Sequence, residues 1–523
     1  MGSARAASWA LSATVAIVVT SPACVQIAGL GKACQPSCVD RTHRLVCDAD
    51  GEAQTEACPP STAPCTESVC SSTSPGTCVT QFVASPCGPD GEGRCAPGGA
   101  CLGPNMKISA ILDHTCAVLH DGSVWCWGTN PYGELGDNKD EFRNHAARVE
   151  GLPDRPAVAV GTGYGTSYAI LDDGTIWCWG NNQGGQCGTS PASRIPPSRV
   201  PGLEGIEFQA VTGGFAHTCA VSTAGDVYCW GLNDEGQCGV DTGQCEPAAG
   251  GGGGGGSGGG GGSGGGAGAG GAQGEGGKSS GALILEPSKV PVETGARKLV
   301  SNKSHNCVSR TSEPSTRCWG RNGRGQLALD PAVTKCSAHP VAIALPATTI
   351  SVGLGFDSSY AVLNGGAVYA WGYNHRGQLG VGQNLPGPED DVIWTPTQVL
   401  FGELPPSVLT ATLDIFRSDG SHMCAQRDSG SFICWGGNDQ GELGFGVLPT
   451  VGEEFDTARP ADEIPSGSEL AMGEDHGCAA TPAPDSTIVC WGEAKLTGTG
   501  QGKTLDEELP PQLTVEQVLF KAP

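Results

Sequence analysis

The stretch HTCAVLHDGSVWCWGTNPYGELG, residues 114–136, decides the fold because it holds a β-hairpin and the start of a repeat. Two apolar runs flank a short turn that ends in Gly122. A three-residue connection ending in Gly is typical of antiparallel hairpins, because Gly adopts the left-handed conformation at low cost. This turn predicts that Cys116 faces Cys126 on the neighbouring strand.

The Trp-Gly pair of this stretch recurs along the chain, and six of its copies continue as WGxNxxG. The Trp residues are Trp127, Trp179, Trp230, Trp319, Trp371, Trp435 and Trp491. The seventh copy has Ala494 where the others have Asn. Strand signals repeated at a period near fifty residues predict a repeat architecture, and a closed ring of copies can bury both faces of each sheet.

Composition supports many short strands joined by turns, since 84 Gly and 37 Pro accompany only 16% charged residues in 523. The formal net charge of −25 argues against nucleic-acid binding, because neutralising phosphates requires a basic patch. We interpret the charge as favouring solubility rather than an acidic partner-binding role.

Residues 1–23 are predicted to be a signal peptide, with one basic residue, an apolar segment and small residues before Cys24. The apolar segment is too short to remain as a membrane span. Two kinds of processing stay open: ordinary signal-peptidase cleavage, or a bacterial lipoprotein site that leaves a lipid on Cys24. Either one predicts an exported protein, extracellular or associated with the cell envelope.

Residues 24–104 are predicted to form a separate disulfide-rich module. Its cysteines are Cys34, Cys38, Cys47, Cys58, Cys65, Cys70, Cys78, Cys87, Cys95 and Cys101. An even number of Cys with few large apolar residues indicates a small fold held by disulfides, whose connectivity the sequence leaves open. Zinc is disfavoured, because Cys34, Cys38 and His43 match a metal-ligand spacing only loosely.

Five repeats carry two Cys at positions that face each other across the hairpin. The predicted disulfides are Cys116–Cys126, Cys219–Cys229, Cys307–Cys318, Cys424–Cys434 and Cys478–Cys490. The fifth repeat has lost both, with Tyr360 and Ala370 in their place, and paired loss is what a covalent partnership predicts. In the second repeat, Tyr168 faces Cys178.

The repeats hold five further cysteines, Cys178, Cys187, Cys238, Cys245 and Cys336. Cys238 and Cys245 could close a loop, and Cys178 could pair with Cys187. An odd number leaves one Cys that is free or bonded elsewhere.

A His lies two residues before the first Cys in each of the five paired repeats. These residues are His114, His217, His305, His422 and His476. A metal site is disfavoured, because equivalent side chains of adjacent blades lie beyond ligand distances of about 2 Å. We interpret each as a structural imidazole that bonds a neighbouring backbone group, and each Trp of the Trp-Gly pairs as core.

Residues 250–277 are almost pure Gly with Ser and Ala, and they are expected to form a disordered loop at the rim between repeats three and four. The C-terminal stretch QLTVEQVLF, residues 512–520, is predicted to be a strand. It is expected to complete a blade begun by KISAIL, residues 107–112, and so to close the ring.

The repeat HTCAVLHDGSVWCWGTNPYGELG and its six relatives resemble the repeats of the regulator of chromosome condensation family. The resemblance covers residues 105–523 and implies an all-β, seven-bladed β-propeller with four-stranded blades. The founding member is a guanine-nucleotide exchange factor that binds chromatin. The Cys pair departs from eukaryotic members and is similar to secreted bacterial ones, of which a β-lactamase inhibitory propeller binds an enzyme through one face.

The function we predict is that of a non-enzymatic, monomeric extracytoplasmic scaffold that binds a protein or a cell-surface glycan through rim loops. The sequence shows no catalytic triad in motif context, no HExxH and no phosphate-binding loop, so neither cofactor nor metal is predicted. One alternative is a carbohydrate-active enzyme using Asp172 and Asp173, or Asp390 and Asp391, although these lie in solvated turns. A nucleotide exchange factor is the other, by family analogy only.

Overall fold

The computed structural model describes the backbone of short strands between residues 37 and 102, and most of the chain after residue 105. The fully described ranges are 106–137, 139, 142–243, 245, 282–292, 294–382, 391–401, 414–418, 420–445, 455–482, 487–493 and 517–518, and residues 412–413 and 512–516 are described as backbone. The predicted signal peptide, Cys24 and the Gly-rich tract 250–277 lie outside the described residues. The chain divides into two compact units, Met1–Cys101 and Leu102–Pro523.

The first unit contains short strands in three small sheets. Three of them form one sheet, β1 (Ser37–Cys38), β2 (His43–Cys47) and β3 (Ala53–Ala57). The others form two-stranded sheets, β4 (Thr66–Cys70) with β5 (Cys78–Phe82), and β6 (Arg94–Cys95) with β7 (Cys101–Leu102).

The second unit is a seven-bladed β-propeller, and each blade is an antiparallel sheet of four consecutive strands. Blade 1 contains β8 (Lys107–Ile111), β9 (His114–Val118), β10 (Val124–Gly128) and β11 (Arg143–Arg148). Blade 2 contains β12 (Ala157–Gly163), β13 (Thr166–Leu171), β14 (Ile176–Asn182) and β15 (Ala192–Arg199). Blade 3 contains β16 (Phe208–Gly213), β17 (His217–Ser222), β18 (Val227–Leu232) and β19 (Leu283–Lys289).

The remaining four blades repeat this order. Blade 4 contains β20 (Ala296–Asn302), β21 (His305–Arg310), β22 (Thr316–Arg321) and β23 (Cys336–Ala342), and blade 5 contains β24 (Thr349–Gly355), β25 (Ser358–Leu363), β26 (Val368–Tyr373) and β27 (Val392–Gln398). Blade 6 contains β28 (Thr412–Ile415), β29 (His422–Arg427), β30 (Phe432–Gly436) and β31 (Phe455–Pro460), and blade 7 contains β32 (Glu469–Met472), β33 (His476–Ala480), β34 (Ile488–Gly492) and β35 (Gln512–Gln517). The predicted fold is therefore confirmed.

The ring closes by side-chain packing between blades 7 and 1, and no strand is exchanged. The expectation that the C-terminal strand completes the blade of residues 107–112 is wrong, because β35 pairs with β34 and β8 pairs with β9. Trp127 of blade 1 and Ile488 of blade 7 belong to one buried cluster across the closure. Each blade is therefore contiguous in sequence.

The hairpin of residues 114–136 has the predicted register. Cys116 lies opposite Cys126, and Leu119 N donates to Ser123 O at 2.9 Å. Gly122 closes the turn with a φ of 76°, in the region that favours glycine.

The repeated WGxNxxG motif joins neighbouring blades at six seams, from blade 1 through to blade 7. Inside blade 1, Asn130 Oδ1 accepts from Leu135 N at 3.0 Å and shapes the loop. Trp179 Nε1 of blade 2 then donates to Glu134 O of that loop at 2.8 Å. The same indole-to-carbonyl bond joins Trp230 to Gln186, Trp319 to Gln237, Trp371 to Gln326, Trp435 to Gln378 and Trp491 to Glu442. The Trp and Asn side chains of the repeated motif therefore form hydrogen bonds that stabilise the fold.

The residues that flank the Gly-rich tract place its insertion inside blade 3, between β18 and β19. Asn233 N donates to Ala282 O at 2.9 Å, so the two ends of the insertion meet. The sequence repeat and the structural blade are out of phase here, because the last strand of blade 3 follows the tract.

No helix within the described ranges has the length and hydropathy that a membrane crossing needs.

Candidate functional site

The two faces of the ring are built from different connections. The upper face carries the turns between first and second strands and the start of each third-to-fourth connection, as where Tyr132 packs on Gly165. The lower face carries the hairpin turns and the connections between blades, as where Gly122 meets Pro156. A functional site on this fold draws its residues from one face or from the centre.

The structure joins the sulfurs of the five predicted Cys pairs across neighbouring strands. Their Cα atoms lie 4.1 to 4.2 Å apart. Cys178 is bonded to Cys187 within blade 2.

The expected loop between Cys238 and Cys245 is wrong. Cys245 is bonded instead to Cys336 on the outermost strand of blade 4, 91 residues away. Cys238 is a buried thiol, the one free Cys among those the structure describes. The sequence could not reveal the Cys245 pairing, because it depends on two blades lying side by side.

Four of the five repeated His residues contact a polar side chain of the following blade, a kind of partner that the sequence did not predict. His114 Nε2 lies 3.2 Å from Ser167 Oγ, and His476 Nε2 lies 2.9 Å from Thr115 Oγ1 across the ring closure. His217 contacts Asn306, and His305 contacts Ser359, at 2.8 and 3.1 Å. In the described ranges no three His, Cys, Asp or Glu side chains form a group suited to a metal ion.

Burial lowers the pKa of all five imidazoles. The values are about 3 for His114 and His422 and about 4 for His217, His305 and His476. The rings are therefore neutral at physiological pH, which suits a hydrogen-bonding role inside the protein better than proton transfer.

One layer of the central channel is charged. Register places Lys107, Lys298, Ser351, Asp414 and Glu469 at equivalent positions of the innermost strands in blades 1, 4, 5, 6 and 7. Lys107 Nζ contacts Glu469 Oε2 at 2.7 Å, and Lys298 Nζ contacts Asp414 Oδ1 at 2.6 Å. Burial raises the pKa of Glu469, and the adjacent Lys107 opposes that rise. Each carboxylate of the layer is held by a lysine that ties blades together.

Arg417 crosses the centre above this layer. Its Nη1 donates to Thr162 O at 2.9 Å and to Thr212 Oγ1 at 3.4 Å, so blade 6 reaches blades 2 and 3. Asn302 Nδ2 donates to Ser418 O at 2.8 Å beside it. In the described part of the centre, hydrogen bonds and ion pairs therefore connect blades across the ring.

The carboxylates considered for catalysis lie in two separate blades, and the structure describes three of the four. Asp172 and Asp173 lie in the hairpin turn of blade 2 on the lower face, where both contact Arg155. Asp391 is buried beside β27 of blade 5, and its carbonyl accepts from Asn374 N at 2.8 Å. Asp390 lies outside the described residues. Asp172 and Asp173 thus form a salt bridge with Arg155 on the lower face.

The upper face carries a run of aromatic and cationic side chains that the sequence analysis missed. We name it the aromatic arc: Tyr132, Tyr164, Phe215, Lys303, Phe356, Arg324, Tyr373 and His375. The rings of Tyr164 and Phe215 lie 5.2 Å apart, and Phe215 is 57% exposed. Tyr164, Phe215, Lys303 and Phe356 stand two residues before the second strand of their blades begins, at Thr166, His217, His305 and Ser358. The residue type at that position varies, so no motif marks it.

The arc continues through blades 3 to 5. Phe215 N donates to Lys303 O at 2.8 Å, and Lys303 Nζ lies over the Phe356 ring. The guanidinium of Arg324 lies 4.5 Å from the Tyr373 ring centroid, and His375 stacks on that ring at 4.5 Å. Exposed Trp394 packs against the loop beside Arg324, at Gly325. The arc is a surface of large rings and cations.

Comparison with known protein families identifies the repeats. Two family models of the regulator of chromosome condensation (RCC1) repeat match, one at residues 107–134, 157–186, 208–237 and 350–378, the other at 121–170, 173–221 and 365–410. The chain contains regulator of chromosome condensation repeats. Its RCC1 repeats are the blades whose indole-to-carbonyl bonds are described above.

Relatives with RCC1 repeats differ in function. The chain is 27% identical to the ultraviolet-B receptor UVR8 of Arabidopsis thaliana over 416 residues, covering 77% of this chain and 80% of that protein. It is 35% identical over 133 residues to the probable E3 ubiquitin-protein ligase HERC6 of Homo sapiens, covering 25% of this chain and 13% of that protein. The match to HERC6 therefore concerns a short part of each protein.

Solved structures share the fold. Human WBSCR16 superposes with a TM-score of 0.56 at 16% identity, covering 76% of this chain and 94% of that one. Prp20p from Saccharomyces cerevisiae, described with its binding to Gsp1p and histones, gives 0.55 at 18% identity, covering 78% and 86%. These solved structures therefore share the propeller fold of the chain.

Proposed function

We propose that this chain is a non-enzymatic, extracytoplasmic binding scaffold that recognises a protein through the aromatic arc of its upper face. The observation that carries the proposal is Phe215, a large apolar side chain that is 57% exposed amid rings and cations. Aromatic residues and Arg are enriched where protein interfaces gain most of their binding energy.

The use of the other candidate residues supports this assignment. The motif Trp and Asn residues, the five His and the channel charges all have structural partners or lie buried between blades. The variable turns of the upper face are the places where a rigid ring can change its surface without losing stability. A partner that presents apolar and acidic groups together fits the arc.

Location outside the cytoplasm is supported by the seven disulfides that the structure describes in the propeller. Thiols in a reducing cytosol remain unpaired in most proteins. Rapid alkylation of native cells, followed by mapping of Cys116 and Cys126, tests the location. A disulfide between Cys116 and Cys126 would support an extracytoplasmic location. Alkylation of both residues as free thiols would overturn it.

Site-specific photo-crosslinking in the native host tests the binding face. A photoreactive residue at Phe215 should yield a discrete protein adduct, and the same residue at exposed Asp154 on the lower face should not. The double variant Phe215→Asp, Arg324→Glu should reduce capture of the partner at least tenfold when the photoreactive residue stands at Tyr164. Equal adducts at both faces, no adduct at Phe215, or an adduct removed only by glycan-degrading enzymes would overturn the proposal.

A further inference from the structure

Blade 3 contains three cysteines in one buried cluster, Cys219, Cys229 and Cys238, each with no exposed surface. Cys219 and Cys229 are bonded across β17 and β18. Cys238 remains a thiol in the loop that follows β18. The cluster therefore holds one thiol more than its disulfide uses.

Blade 2 shows a second way to join the same positions. Cys178 and Cys187 stand in CWG and GQCG, as Cys229 and Cys238 do in blade 3. In blade 2 these two are bonded, with Cα atoms 5.5 Å apart. Tyr168 occupies the cross-strand position there, so Cys187 is the partner left for Cys178.

The loops of the two blades have the same local geometry. Asn182 Oδ1 accepts from Cys187 N at 2.8 Å, and Asn233 Oδ1 accepts from Cys238 N at 2.8 Å. The glycines after the two cysteines, Gly188 and Gly239, have φ values of 73° and 70°. A backbone that permits the bond in blade 2 is therefore present in blade 3.

We propose that blade 3 is a thiol–disulfide exchange site in which Cys238 competes with Cys219 for Cys229. The Cys238 thiolate attacks Cys229 Sγ, the Cys229–Cys238 bond forms, and the Cys219–Cys229 bond breaks. Cys219 leaves as a thiolate and takes up the proton that Cys238 released. One disulfide and one thiol enter and leave the reaction, so no external oxidant or reductant is needed.

The exchange moves the covalent tie from the β17–β18 pair to the loop before the Gly-rich insertion. That loop continues to Cys245, which is bonded to Cys336 of blade 4. Burial raises the pKa of the Cys238 thiol, so the thiol stays protonated while blade 3 is closed. Transient opening of the blade gates the reaction.

The variant Cys219→Ser tests the proposal on the full chain. Alkylation and cleavage before Asp226 and Asp234 place the three cysteines on separate peptides. We expect a Cys229–Cys238 disulfide peptide and loss of the Cys238 thiol. In the matched control Cys116→Ser, Leu135 stands at the position of Cys238, so Cys126 should become a free thiol. Free Cys229 and Cys238 together in folded Cys219→Ser protein would overturn the proposal.

Wild-type protein provides a test that does not depend on the folding of a variant. Incubation at alkaline pH without added thiol or oxidant, with denaturant below the unfolding transition, should increase the Cys229–Cys238 peptide at least tenfold over an untreated sample. Cys238→Ser protein should retain Cys219–Cys229 alone. Recovery of only Cys219–Cys229 from treated wild-type protein would contradict the exchange.

Discussion

The seam between blades 4 and 5 and the seam between blades 6 and 7 contain the same indole-to-carbonyl hydrogen bond. The polar side chains around that bond differ. Trp371 Nε1 donates to Gln326 O, and Trp491 Nε1 donates to Glu442 O, both at 2.9 Å. In the first seam, Ser359 Oγ gives Gln326 O a second donor at 2.8 Å. Gly477 stands at the Ser359 position in the other seam and offers no side chain.

The histidines of the two seams, His305 and His422, also differ in their hydrogen-bond partners. His305 contacts Ser359 across the first seam. Neither ring nitrogen of His422 has a hydrogen-bond partner in the described part of the chain. Gly477 cannot be replaced by Ser without conflict, because an added Cβ would collide with the Trp491 ring. The comparison teaches that the indole-to-carbonyl bond defines the blade contact, whereas the polar side chains around it vary.

Removing either indole should produce the largest effect. Trp371→Ala and Trp491→Ala each create a cavity and should lower the free energy of unfolding by roughly 3–5 kcal/mol in denaturant titrations. Trp491→Ala should be the more costly, because Glu442 O loses the donor while Gln326 O keeps Ser359. Equal losses in the two variants would show that the second donor contributes nothing.

Glu442 should make the seam of blades 6 and 7 sensitive to pH. Burial raises its pKa from 4.5 to about 8, whereas blades 4 and 5 meet at neutral Gln326. A carboxyl whose folded pKa is raised loses stability as pH rises from the unfolded value toward the folded one. Glu442→Gln should therefore stabilise the protein by roughly 3 kcal/mol at pH 7 and have no effect at pH 4. Gln326→Glu is the converse control and should introduce that dependence beside Asp357; a flat profile would contradict the assignment.

Acid should act on both seams through the buried imidazoles. The unfolded pKa is 6.5 and the folded values of His305 and His422 are about 4 and 3, so stability falls as pH drops below 6.5. Each His should cost roughly 2 kcal/mol at pH 5. His305→Leu and His422→Leu should both flatten the acid slope in unfolding measured from pH 8 to pH 5. At pH 8 only His305→Leu should lose a hydrogen bond, worth roughly 1 kcal/mol; an equal loss from His422→Leu would reveal a partner for His422.

The sequence predicted the features that arise within one repeat. The turn ending in Gly122 sets the register that brings Cys116 opposite Cys126, and the apolar strands on both sides of each hairpin required burial on two faces. Blade boundaries were harder to predict, because four similar strands repeat without a mark for the first. That is why residues 107–112 and the C-terminal strand were assigned to one blade.

The candidate site was less accessible to sequence reasoning. Phe215 and Lys303 share a repeat position at which the residue type varies, Tyr373 ends β26, and only ring closure sets the three on one face. The disulfide between Cys245 and Cys336 likewise joins residues 91 positions apart.

Period, hairpin register and the identity of the buried Trp residues were determined by sequence alone, because they follow from local backbone preferences and the need to bury apolar side chains. The tertiary structure decided which residue of one blade meets which residue of the next. Those contacts set the histidine partners, the carboxyl with the raised pKa and the aromatic arc, since each depends on the distance between blades rather than on neighbours in the chain.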